Sequence, residues 1–275
     1  MTDRYAVIGN PIAHSRSPEI HAQFAAQTGE PLRYERLLAA PDGFVAAVQA
    51  FRAQGGRGLN VTLPFKLQAC EFADRLSERA RAAGAVNTLV FGEQGVEGEN
   101  TDGVGMVRDI VERHRTSVDG ARVLMAGAGG AARGVLLPLL QAGVGSVLIA
   151  NRTPDKARQL AVAAADPRVF GCGFDELSDA GPFDLLLNAT SSGMVNSAPP
   201  LPEHCYAGAR LAYDMVYGAK PTRFMEIARG HGCAKVCDGL GMLVEQAAES
   251  FWIWRGVMPD TEPVYLNLRR ALDGG

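Results

Sequence analysis

Residues 122–134 read Arg122-Val-Leu-Met-Ala-Gly-Ala-Gly-Gly-Ala-Ala-Arg-Gly134, and this stretch decides the fold. Val123 to Ala126 is a short apolar run with the character of a buried strand. It passes into Gly127-Ala128-Gly129-Gly130-Ala131-Ala132, then into a helix-compatible segment, Arg133 to Gln141. Val147 to Ala150 reads as the next strand. A lone glycine string of this kind also fits a tight structural turn. Strand, glycine-rich turn, helix and strand in that order point instead to a dinucleotide-binding unit. Gly127 permits the tight turn, and Gly129 lets the backbone approach a pyrophosphate. Ala132 takes the third small position, where helix and strand pack closely. The helix N-terminus offers free N–H groups and a partial positive charge to phosphate.

The end of the following strand discriminates between cofactors. An NAD site places Asp or Glu there, to bond the ribose 2′-hydroxyl. This chain has Ala150-Asn151-Arg152-Thr153-Pro154-Asp155-Lys156. Arg152 suits a 2′-phosphate, Asn151 and Thr153 add polar contacts, and Lys156 adds charge. Asp155, the nearest acid, falls past the loop on the next helix. The expected cofactor is NADP.

Working outward, Asp184 to Asn188 and Leu211 to Met215 are further apolar strands. Toward the N-terminus, strands at Tyr5–Gly9, Tyr34–Leu38, Gly58–Val61 and Asn87–Phe91 alternate with helical patterns at Ser17–Thr28, Pro41–Arg52 and Ser77–Ala83. Ser15 or Ser17 is the expected N-cap of the first helix, with Pro18 in its first turn. Gly103 to His114 reads as helical. Alternation of strands and helices predicts α/β architecture with parallel sheets covered on both faces. The pattern changes near residue 101, which divides the chain into two domains. Near the C-terminus, Leu240, Leu243, Val244, Ala247, Ala248 and Phe251 recur at helical spacing, as an apolar stripe packing on a core.

At 275 residues, 47% of them apolar and 21% charged, the chain is long enough for two ordinary globular cores. A net charge of −3 without Lys/Arg clusters gives no electrostatic footprint for nucleic acid. No run of about 18 apolar residues suggests a membrane span. The five cysteines are scattered and read as reduced thiols, which fits a cytoplasmic protein. No metal site is expected. The expected partner is a small-molecule substrate, with a homodimer left open.

Three segments place unusually polar groups just beyond apolar runs. They are Asn10-Pro-Ile-Ala-His-Ser-Arg-Ser-Pro18, Asn60-Val-Thr-Leu-Pro-Phe-Lys66, and Ala85-Val-Asn-Thr88 followed by Asn100-Thr-Asp-Gly103. Ligands of open α/β units bind outside the carboxyl ends of strands. So many neutral donors and acceptors suit a polyhydroxylated substrate. Ser15 and Ser17 fit a carboxylate site or simple helix capping. Asn60 and Asn87 fit ligand contacts or turn chemistry. Taken alone, Lys66 also fits a solvated surface lysine, and Asp102 an N-cap before Gly103.

Together these segments resemble the shikimate dehydrogenase family over nearly the whole chain. Gly9 to Pro18, Asn60 to Lys66, Gly84 to Thr88, Asn100 to Gly103, Gly127 to Ala131, Asn151 to Thr153, Asn188 to Met194, Tyr213 to Tyr217 and Asp238 to Met242 resemble its motifs in order. Two departures are conservative: Arg16 stands where Lys is frequent, and Leu63 where Val is. The resemblance implies an N-terminal substrate domain, 1–101, rejoined by C-terminal helices in 240–275, and a Rossmann-type doubly wound NADP-binding domain, 102–239, with a cleft between. It implies that Ser15, Ser17, Asn60, Thr62, Asn87, Asp102, Tyr217 and Gln246 bind shikimate, and that Lys66 and Asp102 flank the reacting hydroxyl. It further implies NADP contacts from Gly127, Ala128, Gly129, Gly130, Ala131, Asn151, Arg152, Thr153, Lys156, Met215 and Gly239, with Glu78 as a further acidic position near the cofactor. The reaction implied is reversible reduction of 3-dehydroshikimate to shikimate, in aromatic amino acid and chorismate biosynthesis. Quinate as substrate, with NAD, is a neighbouring reading. A metabolite-sensing protein that kept the fold and lost the chemistry is another, against which the retention of Lys66 and Asp102 stands.

Overall fold

The structure is a computed structural model that describes residues 2–195 and 197–274; Met1, Asn196 and Gly275 lie outside the described residues. The chain forms two compact units, residues 1–105 with 244–266, and residues 106–243 with 267–275.

The first unit contains β1 (Asp3–Gly9), α1 (Ser17–Thr28), β2 (Leu32–Leu38), α2 (Phe44–Ala53), β3 (Gly56–Val61), α3 (Lys66–Phe72), β4 (Arg75–Leu76), α4 (Glu78–Ala83), β5 (Thr88–Gly92) and β6 (Gly95–Glu99). It ends in the start of α5 (Asp102–Arg108), which continues as a π-helical turn over Asp109–Arg113. Its strands lie in the order β2-β1-β3-β5-β6-β4. β1, β2 and β3 are parallel, but β5 runs antiparallel to β3 and pairs with β6 as a hairpin. This sheet is therefore mixed, unlike the parallel sheet expected from strand–helix alternation. β6 was not expected, because Gly-Val-Glu-Gly-Glu shows almost no apolar pattern. Its Glu97 and Glu99 are anchored by Arg75 and Arg79. A Cβ at Gly98 would lie 2.7 Å from Val86 Cγ2, so glycine there allows close packing.

The second unit contains β7 (Arg122–Ala126), α6 (Gly130–Gln141), β8 (Ser146–Asn151), α7 (Pro154–Ala164), β9 (Val169–Gly173), β10 (Leu185–Asn188), β11 (Leu211–Asp214), α8 (Arg223–Gly230) and β12 (Val236–Cys237). All strands are parallel, in the order β12-β11-β10-β7-β8-β9. Counted from β7 this is 3-2-1-4-5-6, the doubly wound dinucleotide-binding order, with the winding reversing between β7 and β10. Successive residues feed opposite cores. Val123, Met125, Leu185 and Leu187 enter one cluster, and Leu124 and Leu186 enter the other. A sheet covered on both faces needs such unbroken apolar strands. Among the described residues, no helix is long and apolar enough to cross a membrane.

Two further helices follow, α9 (Leu240–Arg255) and α10 (Glu262–Asp273). From Val244 onward α9 belongs to the first unit, but residues 267–275 group with the second. This differs from the expected return of the whole 240–275 segment. The physical reason is Arg269, whose guanidinium binds Asp238 Oδ1 at 2.5 Å and the Gly218 carbonyl at 3.1 Å. Within the first unit α9 is held by several contacts. Trp254 stacks on Tyr5 at 4.6 Å and donates to the Leu89 carbonyl at 3.1 Å. Phe251 meets Phe24 edge-on at 5.7 Å. Arg255 pairs with Asp3 and Glu30, and Glu249 with Arg79. Phe251→Ala is expected to destabilise the protein by about 3–5 kcal/mol, the usual cost of deleting a fully buried aromatic ring. Denaturant titration of both proteins checks this.

Candidate functional site

Lys66 opens α3 and Asp102 opens α5. Lys66 Nζ donates to Asp102 Oδ2 at 2.6 Å, with the two side chains 29% and 18% exposed. Lys66 is thus no free surface lysine, although a ligand can still reach it. Asp102 is no N-cap either. It is the first residue of the helix, and Asn100 Oδ1 accepts its backbone N–H at 3.1 Å.

Asn87 holds the other carboxylate oxygen, donating from Nδ2 to Asp102 Oδ1 at 2.8 Å. Its amide orientation is forced. The backbone N–H of Thr101 donates to Asn87 Oδ1 at 2.9 Å, so nitrogen must face the carboxylate. The same nitrogen reaches Gln246 Oε1 on α9 at 3.3 Å. Close packing sets that residue's height, since a Cβ on Gly105 would lie 2.5 Å from the Gln246 backbone nitrogen. The Val86 N–H donates to the Lys66 carbonyl at 2.9 Å and ties α3 to the segment that leads through Asn87 into β5.

Ser15 and Ser17 precede and open α1, but the N-cap position is Arg16 and its side chain makes no cap bond. Ser15 Oγ instead accepts the Ser17 N–H at 3.3 Å and lies 3.2 Å from Ser17 Oγ. Arg36 Nε donates to the Ser15 carbonyl at 3.0 Å and fixes this turn. Thr62 follows β3, its N–H bonded to the Ile8 carbonyl at 3.0 Å.

Asn60 is engaged within the fold. It is a buried residue of β3, not part of a turn, and both ends of its amide are engaged internally. Tyr34 donates to Oδ1 at 2.6 Å, while Nδ2 faces Ser250, Thr88 and the Asn87 carbonyl at 3.0–3.3 Å. Burial drives the Tyr34 pKa well above its ordinary value, so the phenol remains a donor. His21, stacked on Tyr34 at 4.2 Å, is driven by burial down to about 3 and stays neutral.

In the second unit a cavity of about 930 Å³ opens at the carboxyl ends of β7 and β10. Its walls include Gly127–Ala131, Asn151, Arg152, Thr190, Met215 and Val216. Gly127 has φ +106°, and a Cβ there would lie 3.1 Å from the Ala189 backbone. A Cβ at Gly129 or Gly130 would meet no neighbouring atom of the described residues within 4 Å. Glycine is thus required at 127 by the protein's own packing, and at 129 by no contact among the described residues. Arg152 is exposed and has no ion-pair partner among the described residues. Buried Asp214 supports the wall, accepting from Val216 N at 3.0 Å, Thr222 Oγ1 at 2.6 Å and Asn188 Nδ2 at 3.1 Å. Burial raises its pKa, against these three bonds.

Some expected cofactor residues lie outside these walls. The carbonyl of Thr153 accepts from Asn151 Nδ2 at 2.9 Å and from Lys156 N at 3.1 Å, and the Lys156 side chain is exposed. Gly239 backs Met215: a Cβ there would collide with the Met215 carbonyl oxygen. Glu78 opens α4 of the first unit and is exposed. Tyr217 follows β11 in the second unit, whereas the other expected substrate residues all belong to the first.

Residues 7–89 match the family model described as the shikimate dehydrogenase substrate binding domain, residues 109–196 that of shikimate/quinate 5-dehydrogenase, and residues 239–265 that of the shikimate 5'-dehydrogenase C-terminal domain. A shikimate dehydrogenase (NADP(+)) from Aromatoleum aromaticum is 57% identical over 277 residues, spanning 99% of each chain. The chain belongs to the shikimate dehydrogenase family. Two solved structures agree in fold. An Ael1 enzyme from Pseudomonas putida is 47% identical with a TM-score of 0.94, covering 97% of this chain and 98% of that one. A shikimate 5-dehydrogenase from Thermus thermophilus, in complex with NADP(H) and shikimate, is 35% identical with a TM-score of 0.86, covering 98% and 100%.

Sequence reasoning passed over Tyr34, Thr88 and Ser250. The signal for Ser250 was there: Gln246, Ser250 and Trp254 recur every fourth residue and form one stripe of α9. A search for apolar periodicity skips such a stripe. The two glycines should separate in stability measurements. Gly127→Ala is expected to cost about 1 kcal/mol or more, because alanine is strained at positive φ. Gly129→Ala should leave stability within about 0.5 kcal/mol. Thermal and urea unfolding of the two variants decide, and equal losses contradict this account.

Proposed function

We propose that the chain is an NADP-dependent shikimate dehydrogenase that interconverts shikimate and 3-dehydroshikimate. The observation that carries the reading is the Lys66–Asp102 contact at 2.6 Å, with Asn87 holding the second carboxylate oxygen. This is a proton-transfer group beside a fixed acceptor, at the polar end of a sheet. In the reductive direction the Lys66 ammonium gives a proton to the oxygen of the reacting carbon. In oxidation the amine takes the hydroxyl proton. Asp102 accepts from that hydroxyl and orients it. Asn87 and Gln246 bind neighbouring ring hydroxyls, and the Ser15 and Ser17 hydroxyls hold the carboxylate. Thr62 and Tyr217 complete the proposed substrate contacts. The engaged amide of Asn60 supports the site from behind.

NADP fits the second unit. The Gly129–Gly130 backbone is open to close approach, and the α6 N-terminus favours phosphate. Arg152, with Asn151, Thr153 and Lys156, would hold the 2′-phosphate. Bound there, NADP would supply the hydride chemistry. Five free thiols support a cytoplasmic location.

Absorbance at the reduced-nicotinamide band, with shikimate and either NADP or NAD, tests the reading. Rapid reduction of NADP and slow reduction of NAD is the expected result; no signal with shikimate overturns it. Lys66→Ala should lower kcat more than about 100-fold while NADP affinity is kept. Near-normal turnover would remove Lys66 from the mechanism. Arg152→Ala should weaken NADP by about 10- to 100-fold, the range for a hydrogen bond to a charged group, and leave NAD nearly unchanged. Titration with both cofactors measures the ratio.

A further inference from the structure

In the first unit, the sheet face covered by α9 carries a polar cross-strand pair. Asn60 on β3 stands opposite Thr88 on β5, and both are buried. Ser250, fully buried on α9, sits on this pair. Its Oγ lies 3.0 Å from Asn60 Nδ2, 2.8 Å from Thr88 Oγ1, 3.3 Å from Thr101 Oγ1 and 3.0 Å from the Gln246 carbonyl. Donor directions follow from chemistry. Tyr34 donates to Asn60 Oδ1, so the Asn60 nitrogen points to Ser250, Thr88 and the Asn87 carbonyl. Thr88 passes its proton to Asn87 Oδ1 at 3.0 Å. Asn87 then donates to Asp102. The chain of bonds runs one way, from a buried phenol to the carboxylate beside Lys66.

We infer that Ser250 is a positioning residue for the reaction. Ser250 accepts from Asn60 Nδ2 and gives its one proton to Thr88 Oγ1, whose own proton is thereby aimed at Asn87 Oδ1, so that the Asn87 nitrogen stays on Asp102 and the carboxylate stays oriented for Lys66. Ser250 touches neither Lys66 nor Asp102, and acts through Asn87. A buried polar network of this kind is effective only when every member is satisfied. The inference rests on the dehydrogenase reading above.

A double-mutant cycle tests it, using the full-length protein with shikimate and NADP. Ser250→Ala should lower kcat about tenfold and leave NADP affinity, read by fluorescence, within about twofold. In an Asn87→Ala background the same substitution should lower kcat further by less than about twofold, because the path is already broken. Thr88→Val, which removes the linking hydroxyl at nearly constant volume, should reproduce both results and carries the test if Ser250→Ala does not fold. Equal losses in the two backgrounds, or a kcat within about twofold of the parent protein, overturn the inference. A parent protein inactive on shikimate overturns the dehydrogenase reading and this inference with it. An active parent with an unaffected Ser250→Ala overturns this inference alone.

Discussion

The backbone N–H of Thr101 donating to Asn87 Oδ1 is the constraint on which the arrangement of Asn87, Asp102 and Lys66 depends. An amide presents one acceptor end and one donor end. Once a main-chain donor claims the oxygen, the nitrogen must face Asp102. The carboxylate is then pinned between Asn87 on one oxygen and Lys66 on the other. Lys66 in turn cannot swing into solvent without leaving a partly buried carboxylate unpaired. Breaking such pairs from one side is costly. Orientation of the Lys66–Asp102 pair is therefore set by a peptide group, the least adjustable donor available, with the Thr88 hydroxyl as a second donor to the same oxygen.

That arrangement requires a polar patch inside a sheet, and α9 makes it tolerable. The first unit's sheet has two faces of different character. One packs Ala6, Ile8, Leu59, Val61 and Leu89 into an apolar core. On the other, Tyr5 meets Trp254, and Asn60 and Thr88 meet Ser250. Alternation along each strand places these sets on opposite sides. Without α9 the polar atoms would need water. With it they are satisfied from Gln246 and Ser250, while Trp254 and Phe251 supply the apolar contacts that hold the helix down.

The second unit shows the same economy of means with glycine. Gly127 is required by its positive φ and the nearby Ala189 backbone, and Gly239 by its approach to Met215. Gly129 and Gly130 answer to no contact among the described residues. Their lack of side chains makes sense as clearance for something that binds. The winding reversal between β7 and β10 places that clearance where the sheet opens at its carboxyl edge.

Much of this was legible in the residues. The glycine turn between Val123–Ala126 and Arg133–Gln141 pointed to a dinucleotide-binding unit, because strand, glycine-rich turn, helix and strand follow one another there. The absence of an acid after Ala150 pointed to a 2′-phosphate. Lys66, Asn87 and Asp102 stood out as polar groups at strand ends. Tertiary structure alone decided the rest. The antiparallel β5–β6 hairpin was hidden because ion pairs and glycine packing, rather than apolar periodicity, hold β6. The internal partners of Asn60 were not legible, because Tyr34 and Ser250 lie 26 and 190 residues away in sequence. Local pattern determines which elements form and which side chains are polar. Whether an amide faces a ligand or a neighbour depends on donors brought together by the fold, and sequence spacing carries no record of them.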